Sequence, residues 1–219
     1  IPLAWAAVVW ALLAIVMAWF SGRKGWVSLS LQCTFLLVAA AAGSGMLSSG
    51  LEALVGNPSS DWAVLVPTHI AIATATVACL FIPVAQRSDR WGVLAGLPQL
   101  IVLALSVWGV GGLIIAAGAQ VLAGAGSPEP NLAVIAAIRT AVLSASSVTL
   151  ALASQHWRWP EARWLVYPIL VLVGIKLFVE DFPNGEPASL FVALAFVGTA
   201  LLLAAPLLKR EPDSETPQE

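Results

Sequence analysis

The run GVLAGLPQLIVLALSVWGVGGLIIAAGAQVLAG, from Gly92 to Gly124, holds 33 consecutive residues without one Asp, Glu, Lys or Arg. About 20 apolar residues suffice to cross roughly 30 Å of hydrocarbon as a helix. The run is also continuously apolar rather than alternating, which points to a membrane helix and not to a barrel strand. Outward from it, six further apolar segments follow the same pattern, at roughly 2–20, 26–55, 62–85, 132–154, 164–179 and 188–208. The segment 164–179 is the shortest and reaches spanning length only with Lys176 and Glu180 included. The expected fold is therefore an all-α integral membrane protein of about seven transmembrane helices. Residues 1–210 form one bundle in this reading, and 211–219 form a disordered acidic cytoplasmic tail.

Composition leads to the same class. Hydrophobic residues make up 59% of the 219, and charged residues only 10%, against about 25% charged in soluble domains. The net charge of −2 and the lack of a basic run exclude a nucleic-acid partner. Cys33 and Cys79 fall within apolar stretches at no metal-ligand spacing and read as small core hydrophobes.

Charge orients the bundle. Arg23, Lys24, Arg87, Arg90, Arg158, Arg163, Lys209 and Arg210 all follow odd-numbered segments, so eight of the 10 cations lie on one face. Cytoplasmic loops are the ones enriched in Lys and Arg. The opposite loops carry Glu52, Asp61, Glu129, Glu180, Asp181 and Glu186. The N-terminus is thus expected outside and the C-terminus in the cytoplasm. Trp19, Trp26, Trp91, Trp157, Trp159 and Trp164 flank the basic loops as an interfacial belt. The first segment lacks a basic leader and a small-residue cleavage site, unlike a signal peptide. Ile1 is not a start methionine, and anything preceding it is expected outside.

Two cations fall inside segments, Arg139 and Lys176. Arg139 lies about 12 Å and His69 about 10 Å below the outer surface at 1.5 Å per residue. Lys176 precedes Glu180 by four residues, an α-helical one-face spacing. A lone ion at mid-bilayer costs about 2.5–3.5 kcal/mol on insertion scales. His69, Arg139, Lys176, Glu180, Asp181 and Glu52 are accordingly expected as one polar cluster in the outer half. By elimination, Asp181 or Glu52 is the expected partner of Arg139. Two readings stand: a structural ion-pair network, or an outward vestibule for an anion, a quinone head group or a proton.

Other chemistries fit less well. His69 and His156 lie at different depths, against a bis-His haem within the chain. Ser48-Ser49-Gly50 lacks the preceding glycine of an intramembrane serine protease, and no second histidine at matching depth serves as base. A retinal protein needs its lysine in the last span and a mid-membrane carboxylate, and the chain has neither. The second and fourth segments, about 30 and 33 residues, overshoot a bilayer and contain Gly43-Ser44-Gly45 and Gly109-Val110-Gly111-Gly112. Broken helices mark sites in transporters, but tilt or close packing through small residues is the plainer expectation.

The stretches Arg139-Thr140-Ala141-Val142-Leu143, Glu161-Ala162-Arg163-Trp164-Leu165-Val166-Tyr167-Pro168 and Gly174-Ile175-Lys176-Leu177-Phe178-Val179-Glu180-Asp181 form a recognisable pattern. It continues through Gly185, Pro187, Leu190-Phe191 and Pro206-Leu207-Leu208-Lys209-Arg210. This C-terminal third, about residues 139–210, resembles an uncharacterised family of bacterial inner-membrane proteins that carries no known activity. The resemblance implies a multi-pass protein of the bacterial cytoplasmic membrane. The expected role is an accessory or anchoring subunit of a larger complex, of the respiratory or photosynthetic electron-transfer kind. Its expected partners are other membrane subunits and lipids, with no cofactor of its own and a lipid or quinone at the outer half. The alternative is a small proton or anion transporter or channel. A membrane enzyme acting on lipid or quinone comes third, because the chain offers no nucleophile or metal site.

Overall fold

The computed structural model describes residues 3–24, 26–55, 66–82, 96–123, 132–157, 159–181 and 187–209. The expected tail at 211–219 lies outside the described residues, as do Asp61, Arg87, Arg90, Glu129, Arg158 and Glu186. The same holds for the side chains of Glu180 and Asp181.

Among the described residues the architecture is all-helical. The helices are α1 (Leu3–Lys24), α2 (Val27–Gly43), α3 (Met46–Val55), α4 (Pro67–Phe81), α5 (Leu97–Ala123), α6 (Leu132–His156), α7 (Pro160–Lys176) and α8 (Pro187–Lys209). A π-helical turn, Leu177–Asp181, follows α7. Four of these helices are long and apolar enough to cross a membrane, or five if the bent pair α2–α3 is one span. The chain divides into two compact units, Ile1–Arg139 and Thr140–Glu219.

In the first unit the packing is that of a membrane protein, with small residues inside and large ones outside. Ala7, Ala11 and Ala14 form the buried stripe of α1, while Trp5, Val9, Leu12, Val16 and Phe20 are exposed. Alanines let backbones approach closely where no hydrophobic force separates helix from lipid. α1 packs on both α2 and α4, and a Cβ added to Gly43 would stand 3.6 Å from the Trp10 ring. Three buried hydroxyls of the bundle are tied to their own helices: Thr34 donates to the Ser30 carbonyl, Thr76 to Ile72 and Ser106 to Val102. In hydrocarbon an unbonded hydroxyl has no water to turn to. At its last turn α1 sets Arg23 over Trp19 at 4.7 Å. Lys24 lies over Trp26 at 4.9 Å.

The two glycine-rich segments behave differently. α5 runs unbroken through Gly109, Gly111 and Gly112, so there the packing expectation holds. The second segment does break: α2 and α3 meet at 69°, which overturns the plainer expectation. The cause is local. Gly45 adopts φ +78°, a left-handed conformation that costs residues with a Cβ about 1–2 kcal/mol. Its N–H reaches the Ala42 carbonyl, and the Ser44 hydroxyl accepts from Met46 N–H while donating to the Ala41 carbonyl. That hydroxyl bridges a gap which a Schellman ending closes directly between backbone groups.

In the second unit, Ser144, Ser147 and Ala151 form a buried small-residue stripe on α6, and Ala162, Val166 and Val173 one on α7. α7 starts at Pro160, ahead of the apolar segment at 164, because proline suits the first helical turn and Glu161 its positive end.

Candidate functional site

α3 has 10 residues, about 15 Å of helix, and its last four carbonyls lack intrahelical partners. Arg139, on α6, supplies donors to two of them. Its Nε donates to the Ala53 carbonyl at 2.6 Å and its Nη2 to the Glu52 carbonyl at 3.3 Å. Arg139 is 3% exposed. Of the two carboxylates expected as its partner, that of Asp181 lies outside the described residues. Glu52 contributes its main-chain oxygen, and its side chain is exposed. A helix C-terminus gathers unpaired carbonyls and the negative end of the helix dipole, so a guanidinium finds acceptors there.

At the other end of α3, His69 secures the break. Its Nε2 lies 2.9 Å from the Ser44 carbonyl. A carbonyl only accepts, so Nε2 carries the proton and Nδ1 of the neutral ring is an acceptor. The Ser49 hydroxyl, which has one proton to give, lies 3.4 Å from Nδ1 and 3.2 Å from the Met46 carbonyl, so the two acceptors share it. Trp108 of α5 adds a third hold, donating Nε1–H to the Leu47 carbonyl at 3.2 Å.

Glycines allow this approach. A Cβ on Gly50 would stand 2.5 Å from Trp108 Nε1, and one on Gly112 would stand 3.1 Å from the Gly50 Cα. Where α3 meets α5, a cavity of about 20 Å³ is bordered by Ser49, His69, Gly109 and Ala116. That volume admits about one water, which needs roughly 10–15 Å³ on this measure.

In the second unit Lys176 is 8% exposed and donates Nζ to Thr140 Oγ1 at 3.0 Å. Between Lys176 and Glu180 the backbone from Leu177 to Asp181 is π-helical rather than α-helical. Its i→i+5 bonding alters the angle between the two positions. Of the six residues expected as one cluster, His69, Arg139 and the Glu52 carbonyl act on α3 within the first unit, Lys176 acts within the second, and the carboxylates of Glu180 and Asp181 lie outside the described residues.

Chemically, the first-unit site is a clasp on a broken helix, with one imidazole poised between a carbonyl and a hydroxyl beside a water-sized cavity. Trp108 carries no sequence signal that marks it out. Among the described residues no group of three or more His, Cys, Asp or Glu could hold a metal ion. No family model, curated protein or solved structure matches the chain.

Proposed function

We propose that this protein is a seven-span accessory or anchoring subunit of a larger bacterial inner-membrane complex of the electron-transfer kind, with its N-terminus outside. The observation that carries the reading is the use made of Arg139. The buried guanidinium closes the end of the protein's own broken helix, so its charge serves architecture. The distribution of Arg and Lys supports the orientation. Exposed Phe35, Phe191 and Leu202 give large apolar surfaces suited to lipid and to neighbouring subunits. Purification in mild detergent tests this: haem- or flavin-bearing subunits co-migrate. A stable lone oligomer with no such partner overturns it.

A second reading, a small proton or anion transporter, is favoured by one observation. The 69° break brings His69 and Ser49 together beside a cavity, and discontinuous helices mark binding sites in many transporters. Ion flux into liposomes carrying the purified chain tests this reading, which fails if flux equals that of empty liposomes.

A further inference from the structure

Cys33 on α2 and Cys79 on α4 are both free thiols and both buried. Both belong to the hydrophobic core of the first unit, as their sequence context suggests. Both thiols border one cavity of about 30 Å³. Its wall is polar for a membrane interior, including Ser21, Thr34 and Gln99. The cavity lies toward the end of α1 that carries Arg23 and Lys24, since Ser21 borders it and bonds to the Trp26 carbonyl. Such a space admits a water or a peroxide on the roughly 10–15 Å³ that one water needs. A tripeptide thiol is far too large.

We propose that Cys33 and Cys79 are a redox-active dithiol that hydrogen peroxide converts into a disulfide joining α2 to α4. One sulfur, giving up its proton, attacks a peroxide oxygen; the O–O bond breaks, water leaves and a sulfenic acid remains. The second sulfur then attacks the sulfenic sulfur, the S–O bond breaks, and the hydroxyl departs with the second thiol proton as water. Two thiols lose two electrons, and one peroxide becomes two waters. The bond would pin one end of a helix pair whose other end is held by His69 of α4 on the carbonyl of Ser44, just beyond α2. Oxidation thus stiffens the helices that set the break.

The test uses the full chain in its native membrane, exposed to hydrogen peroxide, then unfolded and labelled with a maleimide polymer. Wild type is expected to lose both labels as a monomer, to fall in intact mass by two hydrogens, and to regain both labels on reduction. Cys33→Ser and Cys79→Ser should each keep one sulfur that stops at sulfenic acid, trapped by dimedone. The wild-type measurement stands even if a variant fails to fold. Retention of both labels, a disulfide-linked dimer, or stepwise oxygen addition to wild type without a disulfide each overturns the proposal. So does loss of the single label in the variants with no dimedone adduct.

Discussion

Arg139 Nε donates to the Ala53 carbonyl across 2.6 Å, linking α6 to the last turn of α3. The second bond, to the Glu52 carbonyl, uses another nitrogen of the same planar group. Arg139→Ala should therefore leave carbonyls unpaired in a buried setting, at about 1–3 kcal/mol for each. Arg139→Lys should recover only part, because an ammonium on a flexible stem lacks the fixed fork. The unfolding midpoint in detergent checks both, and an Arg139→Lys midpoint equal to wild type would show that the fork is unnecessary.

Glycine substitutions should separate the conformational role from the packing role. Gly45→Ala meets a backbone at φ +78° and should lose about 1–2 kcal/mol. Gly50→Ala drives a methyl into Trp108 and should lose about 1–3 kcal/mol, the usual range for overpacking. Gly198, where an added methyl would meet nothing within 4 Å, is the control; Gly198→Ala should be neutral or gain up to about 1 kcal/mol. Equal losses at all three positions would contradict this assignment.

The helices were legible because continuous apolar runs admit few other structures in lipid. Arg139 and His69 were legible as the polar groups that must find partners. Their partners were not. Read as one straight helix, residues 26–55 carry Ser49 toward the far end of an overlong rod, whereas the Ser44–Gly45 break turns it back to His69. Nothing in the glycine pattern separates that break from the unbroken Gly109–Gly112 stretch, since the difference lies in one positive φ and one bridging hydroxyl. Backbone carbonyls leave no trace in a sequence, so elimination among acids missed Ala53. The Cys33–Cys79 pair arises from the packing of α2 and α4 and not from a spacing.

Orientation has its own test. In a background with Cys33 and Cys79 replaced by serine, cysteines at Ser60 and Ser127 should react with an impermeant thiol reagent added to spheroplasts. A cysteine at Ser88 should react only after the membrane is opened. Labelling of position 88 from outside would reverse the topology and, with it, the depths assigned to Arg139 and His69.

His69 discriminates between the two functional readings. Its Nε2–H holds the Ser44 carbonyl at the break, and its Nδ1 faces Ser49. The glutamine amide can put a donor nitrogen near the place of Nε2, but it has no site that takes up and releases a proton near neutral pH. His69→Ala should lose about 1–3 kcal/mol by leaving that carbonyl unpaired, and His69→Gln should stay close to wild type. Because both ring nitrogens face internal partners, haemin added to the purified chain should give no stoichiometric Soret band. If His69 is purely a clasp, His69→Gln also keeps complex yield and electron-transfer activity. A variant that folds and assembles normally yet abolishes proton flux would instead make the imidazole a proton carrier, and the broken helix a transport element.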